Sequence, residues 1–145
     1  MTKTEMIDLL QGALMRERQH FNFYQHAQYV LKGLFRLYLG DFFKKEMHGE
    51  LEHMQVFADK IVALGGIPTI ESYALNASDF STPLKMINAA IKMEREVISF
   101  YHSMYPSAEK YAETYDDLSI VLLIEDNIED STRDVEEMEK LALMN

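Results

Sequence analysis

The sequence predicts an all-α protein, an antiparallel four-helix bundle with one long crossover. Apolar residues recur at intervals of three and four along four separate stretches. Turn-forming residues are few, with six glycines and three prolines in 145 residues. The connections are short within the first and last pairs of stretches and long between them.

The first helix is expected from about Thr4 to Lys32, ending near Gly33, with Met6, Leu10, Ala13, Leu14, Phe21, Tyr24, Ala27 and Leu31 facing inward. The second runs from about Leu34 to Leu64 and buries Leu39, Phe43, Met47, Met54, Phe57, Ile61 and Leu64. Gly65-Gly66 supplies a left-handed stop, and Pro68 prevents continuation. Residues 67–81 form the crossover. Ser81 or Thr82 caps the third helix, with Pro83 in its first turn. That helix carries Met86, Ile87, Ala90, Ile91, Val97, Ile98 and Tyr101, and Pro106 is expected to end or kink it. The fourth helix is under way by Leu118 and runs to about Leu143, with Val121, Ile124, Ile128, Val135, Met138 and Ala142 as its stripe. The length suits one domain spanning 1–145.

Composition narrows the function. A net charge of −10 repels phosphate backbones and argues against nucleic-acid binding. The absence of cysteine excludes disulfides, thiolate metal sites and cysteine nucleophiles. The N-terminal stretch has acids where a signal peptide has basic residues and an apolar run, and no segment of about 18 apolar residues exists. No membrane span and a cytoplasmic location are therefore expected.

Several charged residues lie on the wrong face. Glu17 falls three after Leu14 and seven before Tyr24, in the middle of the first apolar stripe. Glu50 continues the row Leu39, Phe43, Met47, and His53 lies one turn further along the same side. Glu94 falls within the row Ile87, Ile91, Ile98, Tyr101; Glu96 competes with it, and the stripe favours Glu94. An unpaired buried carboxylate costs several kcal/mol even after relaxation. Three glutamates and a histidine from three helices want cations between them, and these faces offer almost no Arg or Lys. A metal or a metal pair is the natural counter-charge. Carboxylate oxygen with imidazole nitrogen suits iron, manganese or zinc. The constellation expected of a di-metal carboxylate bundle is one Glu from each of two helices and a Glu-x-x-His from each of the others.

With these residues in place, the sequence resembles the bacterioferritin branch of the ferritin-like superfamily over roughly residues 5–100. The stretch ERQHFNFYQHA carries Glu17, Asn22 and Tyr24, and ELEHMQVFADKIVALGGIP carries Glu50 and His53. KMEREVISFY carries Glu94. The resemblance implies a ferritin-like fold binding Fe(II) through Glu17, Glu50, His53 and Glu94.

The fourth helix departs from the family pattern, because it contains no histidine. The apolar stripe sets Ser131 and Asp134 at the positions of the second Glu-x-x-His, which makes Asp134 a further metal ligand. A rival register uses Glu129 and Thr132 but turns Arg133 and Glu136 inward. The two metal positions are then expected to be unequal. His20 is one turn from Glu17 and can substitute for the absent histidine, although a helix-interface role is preferred. His26, His48 and His102 are read as facing solvent or a subunit contact. Tyr24 is either core or a hydrogen-bond partner of a ligand. The acidic run of the fourth helix, Glu125 to Glu139, is read mainly as a solvated face. Leu51 stands where the family has a haem-ligating methionine, so haem is not expected. The chain ends about ten residues after the helix-four site, and the short fifth helix of the family is expected to be missing.

The first functional expectation is a ferroxidase that binds and oxidises Fe(II), with storage in a shell of copies. A non-catalytic ferritin-like metal-binding or structural protein is the alternative. An oxygen-activating di-metal enzyme acting on an organic substrate is a third. Phe21, Phe23, Tyr29, Phe35, Tyr38, Phe42 and Phe43 exceed what one stripe can bury, so a homo-oligomer, dimer or larger, is expected.

Overall fold

A computed structural model describes residues 1–142. Helix α1 spans Lys3–Val30, α2 Phe35–Ala63, α3 Pro83–Tyr115 and α4 Ser119–Ala142, with a short 3₁₀ turn, Ala77–Phe80, inside the crossover. The α1 and α2 helices pack together, as do α3 and α4, and α1 also packs on α3. No helix among the described residues is long and apolar enough to cross a membrane. The expected end of the fourth helix at Leu143 lies outside the described residues.

The boundaries have local causes. Thr2 and Glu5 form a capping box at the start of α1. Gly33 and Gly65 adopt left-handed backbone (φ +68° and +95°), and the N–H of Gly66 returns to the Ile61 carbonyl at 2.9 Å. Of the two candidate caps for α3, Thr82 is the one used, accepting from the Lys85 amide at 3.1 Å. The crossover is tied along α1 at an i, i+7, i+8 spacing. Gln11 exchanges bonds with Ile67 and Thr69, Arg18 donates to the carbonyls of Thr69 and Glu71, and Gln19 donates to that of Ala74.

Two sequence expectations are corrected here. Pro106 does not end helix α3, which continues through it and stops nine residues later, at Tyr115. Pro106 lies on the exposed face, so the carbonyl it deprives of an N–H partner is open to water, while Met104, Ala108 and Tyr111 keep the buried register. The aromatic surplus is smaller than expected. Phe23 and Phe43 are buried, Phe21, Phe35 and Phe42 are half-buried, and only Tyr29 and Tyr38 of that set are exposed. Phe80 of the crossover packs against Phe23, ring centroids 4.9 Å apart, so the connection covers a face the helices leave open.

The interior is divided. One apolar cluster gathers Met6, Leu10, Leu14, Phe57, Ile61, Met104, Tyr111 and Ile124 with their neighbours. A second gathers Phe23, Leu39, Phe43, Met86, Ile87, Val135 and Met138. Along each helix the buried polar residues fall between these two sets: Glu17 and His20 on α1, Glu46 and Glu50 on α2, Glu94 on α3, Asn127 and Ser131 on α4. A polar belt at mid-bundle separates two apolar cores.

Candidate metal centre

Each belt residue is fixed by the helix that carries it. Glu17 and His20 lie one turn apart on α1, as do Glu50 and His53 on α2. Glu17, Glu50 and Glu94 are essentially excluded from solvent, while His53 retains 17% exposure. Three groups result, each with its ligand atoms within 4.8 Å of one another: Glu17, Glu50 and His53; His20, Glu50 and Glu94; and Glu46, Glu50, Glu94 and Asp134. The structure thus brings all five residues singled out in the sequence, Glu17, Glu50, His53, Glu94 and Asp134, into one connected cluster.

The first two groups have the same composition, two glutamates and one histidine, and share Glu50. Nδ1 of His53 lies 3.3 Å from Glu17 Oε2 and 3.4 Å from Glu50 Oε2. Nδ1 of His20 lies 3.2 Å from Glu94 Oε1 and 3.9 Å from Glu50 Oε1. His20 is 2% exposed and lies at the α1–α3 interface as a member of the belt. His26, His48 and His102 are exposed, and so is Glu96, which leaves Glu94 as the inward glutamate of α3.

Two tyrosines frame the site reciprocally. The Tyr24 hydroxyl donates to Glu94 Oε1 at 2.9 Å, and the Tyr101 hydroxyl donates to Glu17. Tyr101 follows Glu94 by seven residues, as Tyr24 follows Glu17. Laying α1–α2 on α3–α4 in that register sets Asn127 opposite Glu50 and Asp130 opposite His53. The counterpart of Glu50–His53 therefore falls one turn earlier than Ser131 and Asp134. All four residues share one face of α4, which is why the apolar stripe did not separate the two registers. Glu129, Thr132 and Arg133 point outward.

Three of these residues were missed as site residues. Glu46 is 8% exposed and extends the α2 row at 39, 43, 46, 50 and 53, a spacing legible in the sequence. Asp130, counted with the solvated acidic run, reaches His53 Nε2 at 3.2 Å. A carboxylate on one imidazole nitrogen orients the other toward the cluster. Asn127 is buried and gives its Nδ2 to the Leu123 carbonyl at 2.8 Å.

The charges are strained against each other. Burial alone would raise Glu17, but hydrogen bonds from Glu50 and His53 hold it low, at about 2. Burial and the neighbouring Glu17 push Glu50 well above the usual carboxylate range, so this pair shares a proton. Burial and a bond to Glu46 lift Asp134 to about 10, and burial above all also raises Glu46. His53 would be lowered by its burial, but Glu17 and Asp130 raise it to about 9. His20 likewise rises, Glu94 outweighing the desolvation.

The residues present fit divalent cations. Four buried side-chain polar atoms among the described residues have no hydrogen-bond partner. Three of them are belt oxygens, Glu50 Oε2, Glu94 Oε2 and Asn127 Oδ1, and Glu50 and Glu94 belong to groups whose nitrogen members are the two imidazoles. The fourth is Nε of Arg16, whose guanidinium carbon lies 5.0 Å from the Tyr73 ring centroid and 4.4 Å from that of Phe100. Buried acceptors left unpaired in this way are costly unless something positive joins them. A pocket of about 540 Å³ between α2 and α4 reaches the cluster, lined by Glu46, Glu50, His53, Asp130 and Asp134 among others. A larger groove of about 1010 Å³, lined by Arg16, Lys92 and Arg95, holds none of the clustered residues.

Comparison with known proteins agrees with this architecture. The family model for the ferritin-like domain matches residues 7–143. The chain belongs to the ferritin-like domain family. Among solved structures it is similar to a ferritin-like, diiron-carboxylate protein from Bacillus anthracis, with 28% identity, 98% of this chain and 99% of that chain covered, and a TM-score of 0.86. The bacterioferritin of Desulfovibrio desulfuricans, described with its diiron site in different catalytic states, shares the fold at 21% identity and TM-score 0.83, covering 97% of this chain and 79% of that one. A dodecameric thioferritin, the bacterioferritin-related protein from Bacteroides fragilis, shares it at 18% identity and TM-score 0.75, covering 97% and 85%. No curated protein matches the chain. The ferritin-like chain thus carries carboxylate and histidine groups placed close enough together that they could hold a metal ion.

Proposed function

We propose that this ferritin-like protein takes Fe(II) as its substrate, binding two ions side by side in the bundle core and oxidising them. The observation that carries the reading is the pair of Glu₂His clusters sharing Glu50. Glu17, Glu50 and His53 would hold one ion, and His20, Glu50 and Glu94 the other. Imidazole with carboxylate is a donor set that iron accepts in both oxidation states. Two adjacent Fe(II) ions supply the two electrons that reduce oxygen to peroxide.

The protein's own part is to prepare and enclose that site. The low-lying Glu17 is a ready carboxylate, whereas Glu50, His20 and His53 must release protons for a cation to enter. Asp130 accepts from His53 Nε2 and fixes the ring, and the hydroxyls of Tyr24 and Tyr101 fix Glu94 and Glu17. The two apolar cores above and below leave the α2–α4 pocket as the described opening to the cluster.

His20 alters the expectation of two unequal positions. With an α1 imidazole beside Glu94, the second position has the same kinds of donor as the first. Asn127, where the internal repeat would place a carboxylate, is the observation that favours the non-catalytic alternative. A neutral amide there leaves Glu50 as the bridging carboxylate. Self-association into a dimer or shell belongs to the same proposal. It is supported by exposed Tyr29, Leu34, Leu37 and Tyr38 around the α1–α2 turn and by the assembled relative from Bacteroides fragilis.

Oxygen uptake tests the activity. Anaerobic protein given two Fe(II) per chain and then oxygen should consume it far faster than free Fe(II), and Glu50→Gln should remove the acceleration. Uptake equal to that of free Fe(II), with both ions bound, would leave the binding role and reject the ferroxidase.

A further inference from the structure

The two helix pairs repeat one another. The separation in sequence that takes Glu17 to Glu94 and Tyr24 to Tyr101 also takes Glu50 to Asn127 and His53 to Asp130. The contacts obey the same exchange. Tyr24 donates to Glu94 and Tyr101 to Glu17, and His53 meets Asp130, its own counterpart, at 3.2 Å. A local twofold therefore passes through the His53–Asp130 contact, with Glu50 and Asn127 one turn to either side of it. Glu50 reaches both Glu17 and Glu94, which the exchange only swaps. Its counterpart, Asn127, is thereby aimed at the same two carboxylates.

The side chain is oriented for that place. Asn127 is 3% exposed, its Nδ2 donates to the Leu123 carbonyl one turn back at 2.8 Å, and its Oδ1 has no partner. A backbone carbonyl only accepts, so this bond fixes which end of the amide is which. A buried carbonyl oxygen left unpaired is costly, and hard divalent cations accept amide oxygen as a ligand. We propose that Asn127 presents Oδ1 to the paired ions as a neutral donor, and that its lack of charge makes the site select divalent over trivalent ions. The proposal rests on the two-position reading above.

The selection follows from charge. Glu17, Glu50 and Glu94 bring three negative charges to ions that bring four positive charges when both are divalent and six when both are trivalent. Glu46 and Asp134 form a further group with Glu50 and Glu94, and whatever charge they add is the same with asparagine or aspartate at 127. A carboxylate at 127 would meet two more positive charges in a trivalent pair than in a divalent one, in an interior where such interactions are weakly screened. The amide forgoes that difference. Ions that turn trivalent in place gain charge with no further carboxylate to meet it, so the site holds the product loosely.

Zn(II) and Ga(III), redox-inert ions of the two charges, test this without turnover. Each is titrated against nitrilotriacetate, and bound metal is measured after equilibrium dialysis. Asn127→Asp should raise the affinity for Ga(III) relative to Zn(II) by about a hundredfold or more. A proton that the new carboxyl must release is released for either metal, so the ratio is insulated from it. Asn127→Leu, neutral and of similar shape, should keep the wild-type ratio while weakening both metals by about tenfold or more. An unchanged ratio in Asn127→Asp, with two Zn(II) equivalents still bound, overturns the proposal and leaves the paired site standing. Undiminished Zn(II) binding in Asn127→Leu also overturns it, since Oδ1 would then meet no ion. If wild type binds no Zn(II), the two-position reading fails, and this proposal with it.

Discussion

His20 on α1 and Glu94 on α3 meet at 3.2 Å inside the bundle, both essentially excluded from solvent. In the proposed paired site that pair would complete on α1 what α4 lacks, because α4 offers Asn127 and Asp130 where α2 offers Glu50 and His53.

Replacing His20 should therefore affect one position and spare the other. In an anaerobic Zn(II) competition titration, His20→Gln should weaken one of two equivalents by about a hundredfold or more, beyond the 10–100-fold typical of residues that merely orient a ligand. His53→Gln should weaken the other equivalent. Two unchanged equivalents in His20→Gln would assign the imidazole a purely structural role.

Glu50 is shared, so its replacement should separate stability from binding. Without metal, Glu50→Gln puts a neutral amide, which can still donate to Glu17, in place of a carboxyl whose ionisation is opposed by burial and then by Glu17, Glu94 and Asp134. Its thermal midpoint should match or exceed wild type, by roughly 2–4 °C for each kcal/mol of repulsion relieved. The rise in midpoint on adding Zn(II) should vanish. Glu52→Gln, exposed on the same helix, should behave as wild type in both measurements.

Much of this site was legible in the sequence, and the misses have physical reasons. Glu17, Glu50 and Glu94 each interrupt an apolar stripe, and burying a carboxylate there has few explanations. His20 was ambiguous because a histidine one turn from a buried glutamate serves equally at a helix interface; only the position of α3 brings Glu94 to it. Glu46 sat in register with Glu50, but its neighbour Met47 fitted the apolar row and took its place in the reading. On α4, residues four apart share a face, so Asn127 and Ser131, or Asp130 and Asp134, satisfy the stripe alike. The level of α4 against α2 decides between them, through the contact of Asp130 with His53. Pro106 was read as a stop or a kink because proline deprives a helix of one hydrogen bond; the helix continues where the freed carbonyl lies on the exposed face.

The buried protons make metal-free stability depend on pH in a defined direction. His53 carries a proton in the fold up to about pH 9 that the unfolded chain gives up near 6.5. That contribution is complete below 6.5 and lost as pH rises through 9. Asp134 keeps its proton to about 10, whereas an unfolded aspartate loses it near 3.8, so folding is again favoured less as pH rises. Glu17 acts oppositely, contributing above 4.5 and losing that contribution as pH falls toward 2. Urea midpoints of the metal-free protein should fall between pH 7 and 9.5. The stabilisation by added Zn(II) should grow over pH 6 to 8, as competing protons leave.

Exposed Leu34, at 76%, and Leu37, at 74%, lie with Tyr29 and Tyr38 about the α1–α2 turn. Wild type should scatter light as a dimer or larger assembly. Leu34→Glu/Leu37→Glu should shift it toward a chain mass of 16.9 kDa with unchanged helical circular dichroism. A wild-type monomer at micromolar concentration would reject the assembly.

Anomalous diffraction from crystals grown with Zn(II), or with Fe(II) under argon, tests the central claim most directly. Two peaks per chain are expected, one among Glu17, Glu50 and His53 and the other among His20, Glu50 and Glu94, with Glu50 touching both. A bundle core with no peak, or a single peak that leaves His20 and Glu94 bonded only to each other, would contradict the paired site.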